Sequence, residues 1–538
     1  MKPFDERGVF RVATDTGLLR RIAVRGAGVT ALSQTIAIAI QMIATVFLAR
    51  LLSATDFGLV AMVTTFSLLL MNFGFNGFTE AVVQREEIDH ALASNLFWIN
   101  LGVGLLLTIA FAGAGSGLAR LYGDPRIASV TVVMSATIFL TSISVLHLAL
   151  LKRDLQFMVL SCNDVVARAA SVAVSIALGW AAWGYWALVA GAVALPLVTS
   201  IGAFAGCRWV PGLPRRHRDT GPAVRFALNT YGYFAVNYCT RNLDNLLVGW
   251  FFGPSSLGFY KKAYDLCVLP VAQLSGPLHA VAMPVLSRLS NDEERLHRYI
   301  LRAMSTLAFI GMGLGVWLAV IGKDLTLIVL GPRWEESGRI FTFFAPGVGA
   351  LLLYLTYGWI HISIGRADRL FRWALIEFAV IGCLFVVALP WGPIGIATAW
   401  VMASWILVIP ALQYAGRPAR LRIAPIVGVV WKYVLSSAIA GGASAAIVRA
   451  VPALMAAPGW VGALDRIVAA SLSFGIFYLA AVIFLHRGWA PLHLVGSFLP
   501  DLFPQGFPGA SAADRATPDA GPRRPSIVGG QVSTQRAN

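Results

Sequence analysis

Apolar runs of about 20 residues, enough for a helix to cross a bilayer, recur along this chain with short polar breaks between them. Fourteen such spans are predicted, at 28–49, 58–80, 95–115, 128–150, 164–183, 185–207, 226–252, 264–284, 301–322, 339–361, 371–390, 393–414, 427–448 and 467–485. The narrowest break follows the fifth span. There Trp183-Gly184-Tyr185-Trp186 marks the turn, and its aromatic residues suit a membrane–water interface. Residues 325–330 are apolar but too short to span. The pattern predicts an all-α polytopic membrane protein with about 14 transmembrane helices.

Span seven interrupts the apolar pattern. Its middle carries Asn237, Arg241, Asn242, Asp244 and Asn245, although a charge at the bilayer centre costs about 2.5 to more than 10 kcal/mol. Thr230, Tyr233, Asn237, Arg241 and Asp244 follow one another at spacings of 3, 4, 4 and 3, which is one face of a helix. That face is expected to point away from lipid. Span two has a second stripe, Thr65, Asn72, Asn76 and Thr79, with Glu80 beside its end, and span one a third, Thr30, Gln34, Gln41 and Thr45. Such stripes line cavities or bind helices to one another. Likewise Arg241 and Asp244 read either as a structural ion pair on one helix or as cavity groups. Lys261 and Lys262 are expected at the outer mouth of such a cavity. Asp164 and Arg168 read as a surface pair, Glu377 has no evident partner, and Lys432 can snorkel from a helix end. His147, His279 and His361 read as hydrogen-bonded packing residues.

Charge sets the expected orientation. Residues 1–27 carry six Lys and Arg and no short apolar core, so the run from Gly28 is expected to be the first membrane helix and not a cleaved signal. With that segment inside, the inside loops and the span ends beside them collect 31 of the 42 Lys and Arg and the outside loops with theirs 10, Arg241 lying deep within a span. This excess predicts cytoplasmic termini. A repeat divides the chain. Leu48-Ala-Arg-Leu-Leu-Ser-Ala-Thr-Asp-Phe-Gly58-Leu-Val is matched 200 residues later by Val248-Gly-Trp-Phe-Phe-Gly-Pro-Ser-Ser-Leu-Gly258-Phe-Tyr. Six spans separate the copies, an even number, so the copies share one orientation about an axis along the membrane normal. The expected organisation is a cytoplasmic segment (1–27), a six-helix lobe (28–207), a basic cytoplasmic linker (208–225), a second six-helix lobe (226–414), two extra helices (427–485) and a cytoplasmic tail (487–538). The tail's Pro, Gly, Ser and Ala predict disorder from about residue 504.

Composition narrows the function. The chain is 57% hydrophobic and 13% charged, with a mean hydropathy of +0.72, against about 25% charged in soluble proteins. The net charge of +16 follows from basic inside loops that meet anionic lipid headgroups, so no nucleic-acid partner is expected. The five cysteines, at 162, 207, 239, 267 and 383, are far apart and read as apolar packing residues. There is no G-x-x-x-x-G-K-[ST], no H-E-x-x-H and no C-x-x-C. Neither nucleotide-driven pumping within this chain nor a metal site is therefore expected.

Two stretches carry a family resemblance. Phe47-Leu-Ala-Arg-Leu-Leu-Ser-Ala-Thr-Asp-Phe-Gly58-Leu-Val-Ala-Met62 resembles the first-hairpin signature of bacterial polysaccharide-repeat (Wzx-type) flippases. So does Arg241-Asn-Leu-Asp-Asn-Leu-Leu-Val-Gly-Trp-Phe-Phe-Gly-Pro-Ser-Ser-Leu-Gly-Phe-Tyr-Lys-Lys-Ala-Tyr-Asp-Leu-Cys-Val-Leu-Pro270. These flippases form a branch of the multidrug/oligosaccharidyl-lipid/polysaccharide (MOP) exporter superfamily, and the likeness runs over most of residues 25–415. It implies a V-shaped pair of six-helix lobes around a cationic lumen in a bacterial inner membrane. The implied substrate is an undecaprenyl-pyrophosphate-linked sugar repeat, moved from the cytoplasmic to the periplasmic leaflet by alternating access. It also implies supply of exopolysaccharide, O-antigen or lipopolysaccharide assembly, and polymerase or export machinery as partners. A proton or sodium gradient is the implied driving force.

The candidate lumen residues are Arg241, Asn237, Asp244, Asn242, Asn245, Asn72, Asn76, Gln34 and Gln41, with Asp244 or Glu80 as candidates for ion coupling. The chemistry agrees with the resemblance. A pyrophosphate cannot cross hydrocarbon unaided, and each unsatisfied sugar hydroxyl adds about 2–7 kcal/mol. A chamber with a strong cation and many amides replaces that hydration. Two other readings stand beside this one. A MATE-like drug/cation antiporter would need an acidic lumen, which Arg241 opposes. A membrane polymerase or ligase acting on lipid-linked sugars would need large outside loops, which this chain lacks.

Overall fold

The computed structural model of the chain describes residues 4, 10, 16–83, 88–289 and 292–493. The described elements are helical throughout. They are α1 (Thr16–Leu51), α2 (Ala54–Val83), α3 (His90–Gly113), α4 (Gly115–Tyr122), α5 (Arg126–Arg153), α6 (Phe157–Trp180), α7 (Tyr185–Cys207), α8 (Thr220–Leu289) and α9 (Glu293–Val329). There follow α10 (Glu335–Phe344), α11 (Gly347–Tyr354), α12 (Thr356–Ser363), α13 (Ala367–Ala388), α14 (Gly392–Gly416), α15 (Ala424–Ala450), α16 (Pro452–Ala456) and α17 (Gly459–His486). The tail beyond 493, and with it the expected disorder from about 504, lies outside the described residues.

This is a multi-pass membrane protein, with a count of spans that differs from the expected fourteen. Each expected stretch falls on helical backbone, yet among the described residues ten helices are long and apolar enough to cross, or eleven with one bent pair. The physical reasons are local. Spans seven and eight run together as α8, whose Asn237, Arg241, Asn242, Asp244 and Asn245 lower its apolarity. Spans eleven and twelve read as one apolar block, Asp368–Ala419, broken only by the short turn Leu389–Trp391. Span ten is the bent pair, turning by 55° between Phe344 and Gly347, where Pro346 cannot donate to the helical ladder.

Helices α1 to α7 pack chiefly on one another, with α5 against α2, α3 and α7 and with α1 leaning mainly on α6. In the second group α9 is central and is flanked by α10, α11, α15 and α17. The two C-terminal long helices are therefore seated on α9. There Tyr478 Oη donates to the Phe309 carbonyl at 2.6 Å, and Arg466 Nη2 pairs with Asp324 Oδ1 at 2.6 Å.

The α2–α8 contact is the most extensive between the two groups. Leu59, Met62 and Val63 of α2 are buried in one cluster with Val248, Leu257 and Tyr260 of α8. The two copies of the repeated stretch meet here. A Cβ on Gly58 would overlap the Pro254 carbonyl oxygen, and a Cβ on Gly258 would overlap that of Ala54. Positions 54 and 58 thus cross positions 254 and 258 as a pseudo-two-fold pair, and only glycine permits backbones to approach so closely. Beside the crossing, Trp334 donates from Nε1 to the Ala49 carbonyl at 2.8 Å and stacks edge-on against Phe57 and Phe259. The two groups are therefore clamped at the end where α1 passes into α2.

Several smaller expectations resolve here. Asp164 and Arg168 form a half-exposed pair at 2.9 Å. His147 is buried, with Nε2 3.2 Å from the Trp209 carbonyl, whereas His279 is exposed. His361 departs from its expected role as a hydrogen-bonded residue. It is fully buried between the rings of Tyr357 and Tyr414, and neither ring nitrogen has a protein partner among the described residues. The cysteines are all free, with Cys207 and Cys267 buried and Cys162, Cys239 and Cys383 exposed.

Candidate functional site: a polar seam between the two halves

The seam is built on the bend in α8. Gly253 takes φ 78° and ψ −179°, a backbone suited to glycine, and Pro254 behind it disfavours helical geometry in the residue it follows. The break folds Pro254–Leu289 back so that residues distant in sequence meet. One face of the segment before the bend lies on α2. Tyr231 Oη donates to the Leu69 carbonyl and Tyr238 Oη to the Thr65 carbonyl, each at 2.9 Å. The adjoining face carries Asn237, Arg241 and Asp244.

Between α2 and α8 lies a cavity of about 310 Å³. Asn242, Asn245, Lys261 and Lys262 line it, joined by Thr64 and Thr65 of α2. Lys261 pairs with Asp265, which also lines the cavity. Lys262 has no carboxylate partner among the described residues, and its Nζ lies 4.0 Å from the centroid of the Phe57 ring. Asn245 Nδ2 donates to Asn242 Oδ1 at 3.2 Å, while Asn245 Oδ1 is buried without a donor among the described residues. An unfilled acceptor of this kind suits a ligand hydroxyl or a water.

A second, smaller cavity of about 40 Å³ opens on the other side of the same helix, within the second group. That volume holds about two or three waters. Arg241, Asp244, Tyr264, Tyr354, Glu377 and Trp400 face it. The spacing of Arg241 and Asp244 allows an ion pair, but the structure forms none between them. Tyr260 Oη, brought back by the bend, donates to Asp244 Oδ2 at 2.9 Å, and the Asn245 N–H donates to Oδ1 at 2.8 Å, so the carboxylate is sequestered. Arg241 instead donates from Nε to Asn237 Oδ1 at 3.1 Å and is exposed. Glu377, expected to lack a partner, accepts from Tyr357 Oη at 3.3 Å and lies within electrostatic reach of Arg241.

The remaining candidates are dispersed. Gln34 and Gln41 are exposed on α1 and line neither cavity. Asn72 donates to its own helix at the Leu68 carbonyl, 2.7 Å away. Asn76 and Glu80 lie on α2, but their side chains, like those of Thr230 and Tyr233, are outside the described residues. Reading the sequence missed Tyr260, Tyr264, Tyr354 and Tyr357 as contributors. Their signal is faint, because tyrosine is common near membrane interfaces for other reasons.

Long apolar helices in two groups, joined along a polar and cation-bearing seam, define a membrane-transporter fold. The chain belongs to the polysaccharide biosynthesis protein family, whose sequence pattern matches residues 47–339, more than half of the chain. Among curated proteins it is 24% identical over 359 residues to the succinoglycan biosynthesis transport protein ExoT of Rhizobium meliloti, covering 66% of this chain and 72% of that one. It is 23% identical over 324 residues to the lipopolysaccharide biosynthesis protein WzxC of Escherichia coli, covering 59% and 65%. Among solved structures it is similar in fold to the lipid II flippase MurJ in an inward closed conformation. The TM-score is 0.68 at 15% identity, over 86% of this chain and 99% of that one.

Proposed function

We propose that this protein moves an undecaprenyl-pyrophosphate-linked oligosaccharide repeat from the cytoplasmic to the periplasmic leaflet of a bacterial inner membrane, for exopolysaccharide, O-antigen or lipopolysaccharide assembly. The observation that carries the reading is Arg241. It is exposed in the middle of an apolar segment and has no carboxylate ion pair among the described residues. A bare guanidinium facing lipid there would be expelled or would snorkel, so the exposure is to a wet space. A guanidinium presents a planar fork that suits phosphate oxygens. In the larger cavity on the other side of α8, Asn242, Asn245 and Thr65 supply donors and acceptors for sugar hydroxyls. The names of ExoT and WzxC, both tied to polysaccharide biosynthesis, support the substrate class. Three cations and three carboxylates line the two cavities; it is Arg241 and Lys262, which have no ion pair among the described residues, that weigh against the drug antiporter.

Movement of one helical group against the other, with the contact at Gly58 and Gly258 as its pivot, would expose the seam to each side in turn. The distribution of Lys and Arg supports cytoplasmic termini. A proton or sodium gradient would act on the buried carboxylates Asp244 and Glu377, which share a cavity with Arg241.

Deletion of the gene tests the reading against the polymerase or ligase alternative. The expected result is lipid-linked repeats that accumulate and react only with a probe confined to the cytoplasmic side. Single repeats that reach the periplasmic leaflet but remain unpolymerised would assign the protein to bond formation instead. A second expectation concerns Lys262. Replacement by Met removes the cavity's unpaired cation while keeping its bulk, and should lower repeat translocation about tenfold. The predicted effect is smaller than for Arg241 because an ammonium is a point charge without a fork. The check is the rate at which labelled repeats cross in inverted membrane vesicles.

A further inference from the structure

The linker between α7 and α8, residues 208–219, is a built strap. Its backbone is stitched to one face of α3 by side chains at spacings of four, one and three. His90 Nε2 lies 3.3 Å from the Val210 carbonyl, and Ser94 Oγ accepts from the Gly212 N–H at 2.9 Å. Asn95 is bidentate, accepting from the Arg215 N–H at 2.9 Å and donating to the Arg215 carbonyl at 2.6 Å. Trp98 Nε1 donates to the Gly212 carbonyl at 2.8 Å. Asp89 adds a pair with His217 at 3.1 Å. A linker that served only as a tether would not need its main chain held at so many points.

Because the backbone is engaged inward, the side chains are presented outward. Arg215, Arg216 and Arg218 are exposed, and none has a carboxylate partner among the described residues. With Trp98 they line a cleft of about 830 Å³ that no carboxylate faces among the described residues. Beside it, Leu213 is 80% and Val210 78% exposed, among the most exposed apolar side chains in the molecule. Depth follows from α3. Its 24 residues extend about 36 Å at ~1.5 Å per residue, somewhat more than the roughly 30 Å of hydrocarbon. The strap runs along its first turns, which therefore reach the headgroup layer, where a half-exposed tryptophan such as Trp98 is at home.

We infer that this cleft is a binding site for the phosphodiester headgroup of an anionic phospholipid of the cytoplasmic leaflet, with Arg215, Arg216 and Arg218 on the phosphate and Leu213 inserted among the acyl chains. Fixed arginines with no internal counter-ion gain from an anionic surface, and a guanidinium fork suits a phosphate held in one orientation. The apolar pair selects a lipid over a free anion. The site ties the junction of the two helical groups to the membrane, and the inference does not depend on what the protein carries.

The test titrates the purified full-length protein in detergent with phosphatidylglycerol or phosphatidylcholine and reads bound lipid by native mass spectrometry. The variant Arg215→Gln/Arg216→Gln/Arg218→Gln is compared with Arg417→Gln/Arg420→Gln/Arg422→Gln, which removes the same charge from another exposed basic loop. The expected result is that the strap variant needs about tenfold more phosphatidylglycerol for equal occupancy, while the control stays within twofold of the parent. Leu213→Ser, a milder change, should weaken lipid binding without altering the response to inorganic phosphate. Equal weakening in the strap and control variants would reduce the effect to net charge and overturn the inference. Displacement of the lipid by inorganic phosphate at equal concentration would overturn it too. So would preferential displacement by a pyrophosphate-linked oligosaccharide lipid, which would make the cleft a substrate-loading site.

Discussion

Replacement of Arg241 by Ala should lower surface polysaccharide at least about 100-fold while leaving the protein folded and in the membrane. The size of the effect follows from the loss of a forked guanidinium–phosphate contact, two charge-assisted hydrogen bonds of about 1.5–3 kcal/mol each. Folding should be spared because, among the described residues, the side chain's hydrogen bond is to Asn237, one turn away on its own helix. Among the described residues its other tie to the core is electrostatic, to the buried Glu377. Arg241→Lys should recover only part of the loss, since a lysine keeps the charge but not the planar fork. The measurement is polymer per cell at native expression, alongside membrane-inserted protein. Normal polymer from Arg241→Ala would remove the guanidinium from the path of the substrate.

The second large effect is expected at the glycine crossing. Gly58→Ala and Gly258→Ala each place a methyl group onto a backbone carbonyl of the opposite helix, that of Pro254 and of Ala54 respectively. A carbonyl cannot swing aside as a side chain can, so the helices must separate. Overpacking of this kind costs up to about 3 kcal/mol. Both variants should melt well below the parent in detergent and lose translocation. Gly102→Ala, on α3, offers the contrast. A methyl group there meets nothing within 4 Å, and the change should be neutral or stabilising by about 0.4–1 kcal/mol. If all three variants melt alike, the crossing is not a close contact and cannot serve as the pivot.

The helical, membrane-spanning character of the chain was legible because apolar runs of bilayer length admit few other structures. The polar face of span seven was legible for a related reason, since Asn237, Arg241 and Asp244 fall on one face at helical spacing. What stayed hidden was where each polar group turns. Arg241 and Asp244 look like partners at a separation of three, yet Tyr260, sixteen residues away, takes the carboxylate. That contact exists only because Gly253-Pro254 bends the rod, a consequence of backbone geometry that periodicity does not report. Glu377 appeared isolated for a similar reason, as its partners Tyr354 and Tyr357 lie in the broken helix of span ten. Gln34 and Gln41 shared the spacing of a cavity stripe, but α1 leans mainly on α6 and leaves them exposed outside both cavities. The repeat offered a hint of pseudo-symmetry. It gave no hint that the two copies cross each other glycine against carbonyl, because the sequence records a similarity and not a contact.

The most direct test uses vesicles that contain only this protein and two labelled lipids sharing one glycan and one polyprenyl chain, joined through pyrophosphate in the first and through an uncharged linkage in the second. If an exposed guanidinium on the seam recognises the anionic head, the parent protein moves the pyrophosphate lipid across the bilayer and leaves the uncharged one behind, and Arg241→Ala moves neither. Equal movement of both lipids by the parent and by the variant would contradict that account.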